Sequence, residues 1–182
     1  MIKVLIILFA KNNFMEQVIL VDYQDRVIGL MEKLQAHRRG LLHRAVSVFI
    51  VNSRGEWLLQ RRAAQKYHSA RMWSNAACTH PRQGETNLAA ARRRLKQEMG
   101  LNVDLTEVFS FIYRAYLDND LIEHEFDHIF IGKSDDLPVI NSEEVMEYRY
   151  VNYELLDREI EQNPDNFTKW FRFLYWRVKF YL

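Results

Sequence analysis

Residues 73–100 read WSNAACTHPRQGETNLAAARRRLKQEMG, and the fold turns on this stretch. Thr86 is a good helix N-cap, because its side-chain oxygen can take a free N–H of the first turn. Residues 87–99 then place Leu88, Ala91, Leu95 and Met99 at helical spacing on one face. Gly100 follows as the left-handed residue that ends such a helix. The other half, Asn75-Ala76-Ala77-Cys78-Thr79-His80-Pro81, is a loop feeding that helix. It sets a thiol two positions from an imidazole. A nearby cation would lower the thiol pKa and favour thiolate, the form useful for moving protons.

Outward from this centre, residues 18–21 form a short apolar strand and residues 22–25 a polar turn. Residues 27–36 read as a strand followed by a loop. RAVSVFIVN, residues 44–52, is β-branched and apolar, as a buried strand is; Ser53-Arg54-Gly55-Glu56 turns it into a second strand over 57–61. Residues 108–116 and 122–132 alternate as a hairpin, 148–152 form a further strand, and helices are expected over 152–163 and 166–182. Strands, a helix, more strands and two helices make an α+β layout, with a mixed sheet sandwiched between helices.

Composition agrees. A chain of 182 residues predicts one domain at roughly 150 residues each. The net charge of +1 argues against a broad nucleic-acid surface but leaves room for a basic pocket. With 48% hydrophobic and 27% charged residues the chain can bury a full core. The lone Cys78 cannot form an internal disulfide, which fits a reducing, cytoplasmic setting. The apolar run VLIILFA, residues 4–10, is far short of the roughly 20 residues a membrane span needs. No small-x-small cleavage site follows it, and Met15 opens a clean domain start. Residues 1–14 are therefore expected to be an extension, an added first strand or the product of an upstream start codon, with one domain over 15–182.

Two further groups carry chemistry. His37 and His43 lie six residues apart in EKLQAHRRGLLHRA, which alone fits surface or capping roles as well as a metal. Glu123 and Glu125 in E-H-E point to one face of a strand, while His124 points to the other. Two like charges side by side repel unless a cation binds them or one holds a proton.

The segment from Glu85 to Gly100 resembles the Nudix signature: Glu98 takes its last glutamate, Arg93 its arginine and Glu85 the glutamate at the loop end. Arg94 and Gln97 stand where a hydrolase of that family carries glutamates, and Thr79 stands where the signature has glycine. A hydrolase needs several carboxylates to hold metal ions and activate water, and this helix offers one. With N-x-x-C-x-H-P in front of it, the chain from Met15 onward resembles the type 1 isopentenyl-diphosphate isomerases. The resemblance implies a Nudix-like fold and an intramolecular shift of a carbon–carbon double bond in isoprenoid biosynthesis. It implies Cys78, Glu125 and Tyr113 as the proton-transfer groups. His37, His43, His80, Glu123 and Glu125 would ligate one Mn²⁺, Mg²⁺ or Zn²⁺. Glu98 and the Cys78 carbonyl would hold Mg²⁺ on the diphosphate, and Lys33, Arg62, Lys66 and Arg94 would surround that diphosphate. Trp170 would face the carbocation. The partner implied is a small-molecule diphosphate, without nucleic acid or membrane, for a chain expected to act as a monomer, with a homodimer as the alternative. A nucleotide-cleaving Nudix hydrolase is the rival enzyme class.

Overall fold

The computed structural model describes residues 16–182; the apolar run at 4–10 lies outside them. The chain begins with a hairpin of β1 (Gln17–Val21) and β2 (Val27–Glu32). Its turn is closed by Asp22, whose carboxylate accepts from the Gln24 and Arg26 N–H groups. Instead of the expected loop, a seven-residue helix follows, α1 (Lys33–Arg39). Glu32 caps it by accepting from the Leu34 and Gln35 N–H groups, and Gly40, at φ +59°, ends it. Glutamate is not among the favoured N-cap residues, which is why the sequence gives no clear start signal here.

β3 (His43–Val51) is the central strand, and all but one of its residues are buried. It turns through Asn52 into β4 (Trp57–Arg62). Two short strands, β5 (Trp73–Ser74) and β6 (Ala77–Thr79), lead to α2 (Asn87–Met99). Thr86 and Gly100 cap α2 as expected. The hairpin of β7 (Leu105–Tyr116) and β8 (Ile122–Lys133) comes next, then β9 (Val145–Val151) and α3 (Tyr153–Gln162), capped by Asn152.

The expected last helix over 166–182 is interrupted. A 3₁₀ turn at Pro164–Asn166 and an extended Phe167–Thr168 precede α4 (Lys169–Val178). Phe167 bridges to Trp73, and the Thr168 N–H donates to the Trp73 carbonyl. Sheet pairing there outcompetes helix propensity.

β3 sets the geometry of the whole sheet. β6 pairs with it antiparallel, Ser47 opposite Cys78, and β8 pairs with it parallel, His43 opposite Glu125. Alternation along β3 sends Val46, Val48 and Ile50 into a core shared with Ala91, Leu95 and Met99 of α2. Phe49 and Val51 enter the other core, with Leu156 of α3 and Phe171, Leu174 and Tyr175 of α4. The sheet thus lies between helices on both faces, as the sequence predicts. None of the helices among the described residues is long and apolar enough to cross a membrane.

Candidate active site

α1 and the turn at Gly40 bring the histidine pair together. His37 is buried, and its Nδ1 lies 2.7 Å from the Lys33 carbonyl, one helical turn back. His43 Nδ1 lies 2.7 Å from the Leu41 carbonyl. A carbonyl can only accept, so both Nδ1 atoms carry hydrogen; each Nε2 then offers a lone pair to a metal in the neutral ring and a donor in the protonated one. His80, just beyond β6, completes the group: its ring centre lies 5.4 Å from that of His37 and 4.9 Å from that of His43. Glu125 Oε1 stands 3.0 Å from His80 Nε2 and 3.7 Å from His43 Nε2.

One ligand atom from each of His37, His43, His80 and Glu125 fits within a 4.8 Å group. His43 Nε2 and His80 Nδ1 are buried without a hydrogen-bond partner. Unpaired buried nitrogens are costly, and a divalent ion is what three imidazoles and a carboxylate suit. The residues therefore fit the metal that the sequence suggests. Glu123 stands outside this group. Its Oε2 lies 3.2 Å from the Tyr113 hydroxyl oxygen, and its Oε1 is 3.9 Å from His68 Nε2. His124 points away, toward the Gly40 carbonyl.

Tyr113 also donates to Glu125 Oε2, at 2.6 Å. Burial and the Glu125 charge push the Glu123 carboxyl well above the ordinary carboxylate range. Burial acts to raise Glu125 as well, but the facing His43 and His80 rings outweigh it and hold Glu125 well below that range. The Tyr113 hydroxyl, buried beside both carboxyls, is pushed well up. Of these three groups, Tyr113 is the O–H donor aimed at Glu125.

Cys78 lines the same cavity, of about 310 Å³, with Tyr113, Glu123, Glu125, His80 and Trp170. A nearby cation would lower its thiol pKa; the protein atoms by themselves push it up. Burial is the main cause, and the buried Asp127 carboxylate adds to it.

The expected diphosphate cations line this cavity too. Lys33 pairs with Glu16 at 3.0 Å. Arg62 reaches the Ser69 and His68 carbonyls, and its guanidinium sits 5.1 Å over the Trp170 ring. Lys66 and Arg94 converge on Glu144, a residue the motifs did not flag. Arg94 also binds Glu98 at 2.6 Å, and Gln60 donates to the other Glu98 oxygen at 2.7 Å. Arg93 plays the structural part: it grips Glu85 with two bonds and reaches the His80 carbonyl at 3.4 Å.

Ser47, His68, Asp127 and Glu144 are the site residues that motif reading missed. For Asp127 a signal existed, since it continues the alternation of Glu123 and Glu125. The other three are set in place by strand pairing and loop closure, which leave no local pattern.

The NUDIX domain family model matches residues 41–171. A Deinococcus radiodurans protein of known structure shares the fold, with a TM-score of 0.69 at 22% identity over 81% of this chain and 90% of its own. The MutT protein from Methanosarcina mazei does so with 0.62 at 18% identity, over 76% and 93%. The chain belongs to the Nudix family. Within it the chain stands among the isopentenyl-diphosphate Delta-isomerases. The relative of that name from Pectobacterium atrosepticum is 48% identical over 91% of this chain and 92% of its own. That from Serratia proteamaculans is 50% identical over 86% and 87%.

Two predictions follow from the buried histidines. Burial holds His80 down at about 3, against the pull of Glu125, and holds His68 at about 2, with Arg62 adding to the effect. Below the ordinary value of 6.5 the unfolded chain binds protons that the native chain refuses. Stability of the metal-free protein should therefore fall as pH drops below about 6.5, by about 1.4 kcal/mol per pH unit for each such histidine. Urea unfolding in chelator at several pH values checks this, and His68→Leu should make the slope shallower by one proton. An unchanged slope would mean that His68 protonates in the native state. Separately, the double variant His37→Ala, His43→Ala should lose tight divalent metal by elemental analysis. Full metal content would contradict the four-residue group.

Proposed function

We propose that the chain interconverts isopentenyl diphosphate and dimethylallyl diphosphate by adding one proton and removing another. The observation that carries this reading is the placement around one cavity of a thiol on β6 and a carboxyl on β8, the two strands that flank β3, with the Tyr113 phenol beside the carboxyl on β7. An isolated alkene is a poor base, so it needs an acid in a dry pocket and a sheltered tertiary cation. Tyr113 with Glu125 supplies the proton to the terminal carbon of the double bond. Cys78 takes one from the carbon on the other side of the cation, and the roles exchange in reverse. That removal consumes the Cys78 thiolate, which burial makes scarce at rest and strongly basic once formed. Trp170, with Arg62 over one side of its ring, borders the cation site.

His37, His43, His80 and Glu125, with Glu123 beside them, would hold one Mn²⁺, Mg²⁺ or Zn²⁺. Bound there, the ion supplies fixed positive charge beside the acid. Glu98 and the Cys78 carbonyl would hold Mg²⁺ with the diphosphate, and Lys33, Arg62, Lys66 and Arg94 neutralise it. We read residues 15–182 as the working domain, acting in the cytoplasm as a monomer, with a homodimer as the alternative.

The direct test is to incubate the protein with isopentenyl diphosphate and divalent metal and to look for dimethylallyl diphosphate. Release of phosphate without isomerisation would favour a hydrolase instead. Cys78→Ser should lose at least about two decades in turnover, the low end for general acid–base work. Diphosphate affinity should stay, since its cations remain; near-normal turnover would remove Cys78 from the mechanism. Arg94→Glu would add a third carboxylate to Glu98 and Glu144. Charge-assisted bonds are worth roughly 1.5–3 kcal/mol, so substrate use should weaken by about one to two decades. No phosphate release is expected. Hydrolysis by this variant, measured alongside isomerisation, would count against the reading.

A further inference from the structure

Beneath the cavity lies a polar chain that the proposed reaction does not use. Ser47 stands at the middle of β3 and is 2% exposed. Its Oγ lies 2.7 Å from Asp127 Oδ2 on one flank and 3.4 Å from Cys78 Sγ on the other. Asp127 is fully buried, and its Oδ1 has no partner. Among the described residues, the Ser47 hydroxyl is the side-chain donor that Asp127 has. A hydroxyl owns one hydrogen. Committed to Asp127, it leaves the Ser47 oxygen facing the sulfur with lone pairs.

Asn75 borders the sulfur from the other side. Its Nδ2 hydrogens have the Val48 and Ala77 carbonyls at 3.1 and 2.9 Å, which fix the orientation of the amide. Its Oδ1, 3.2 Å from Sγ, accepts from Ser74 and has a second lone pair within reach of the S–H, and its Nδ2 lies 3.1 Å from Sγ on the donor side. The sulfur thus faces two oxygens, Asn75 Oδ1 and Ser47 Oγ, and Ser47 is the one whose hydrogen is directed elsewhere, at Asp127.

We propose that Ser47 is a positioning residue for Cys78: Asp127 fixes the direction of its hydroxyl, and its oxygen accepts the Cys78 S–H. The sulfur is thereby held at one place on the cavity floor. This rests on the reading of Cys78 as a proton-transfer group. Small misplacements of a reacting group cost turnover. Substrate binding should be spared, because the cations that face the diphosphate lie on other elements.

The chain has one cysteine, so the infrared S–H stretch reports on Cys78 alone. Ser47→Ala should move that band to higher frequency and lower kcat by about tenfold, with KM within about twofold. Ser47→Thr keeps the acceptor and should return both band and kcat toward their original values. The double variant Ser47→Ala, Asp127→Asn removes the hydroxyl without leaving a buried carboxylate unpaired. It carries the same expectations should the single variant not fold. An unmoved band, or an intact kcat, in either folded variant overturns the assignment. Cys78→Ala separates the two levels. If it turns over normally, the proposal falls with the reading beneath it. If it is inactive while Ser47→Ala leaves the band unmoved, the Ser47 assignment alone fails.

Discussion

Three inward positions of β8 carry Glu123, Glu125 and Asp127, all buried. On a strand such positions lie about 7 Å apart. Three carboxyls that close, out of water, repel one another and lack solvation, so each demands a donor or a proton. The neighbouring elements supply them in turn. Tyr113 from β7 lies against the first two and gives its one hydrogen to Glu125, His80 from the segment after β6 also faces Glu125, and Ser47 from β3 serves the third. The site is a set of answers to this one electrostatic demand. That is why its groups sit on strands of the sheet, where register fixes them, with the Gly40 turn holding the histidine pair.

The same rule governs the cation-lined end of the cavity. Lys66 and Arg94 lie close enough to repel each other, and Glu144 bridges them. Its place comes from the backbone: the Ala63 N–H donates to the Glu144 carbonyl, and Gln65 donates to the Glu143 carbonyl. The loop before β9 is thereby stapled to the turn after β4. Glu98, sole carboxylate of α2, is shared between Arg94 and Gln60. A helix that in the hydrolase pattern would gather carboxylates here mixes cation and anion.

Much of this was legible beforehand. The caps of α2, the alternation of β8 and the apolar run of β3 are local signals, and each element formed where they placed it. The cluster of His37, His43, His80 and Glu125 was reached through resemblance, since two histidines six residues apart specify nothing alone. What stayed hidden depended on partners far along the chain. α1 begins on a glutamate cap, and α4 starts late because Trp73 claims the backbone just before it. The upward push on the Cys78 thiol comes from burial and from Asp127, 49 positions away in sequence, which no reading of N-x-x-C-x-H-P contains.

Gly40, Leu41 and Leu42 are all that separates the last residue of α1 from the first of β3. This connection has no slack. A strand turns each successive side chain to the opposite face, so one inserted or deleted residue that shifted β3 would carry His43 out of the site and Ser47 with it. The segment works as a ruler: its length, more than the chemistry of its residues, is what the site can least afford to change. Leu41 illustrates the point, since it serves His43 through its carbonyl and most side chains would leave that service intact. Substitutions should be common at Leu41, rare at Gly40 with its left-handed backbone, and changes of length rarest of all.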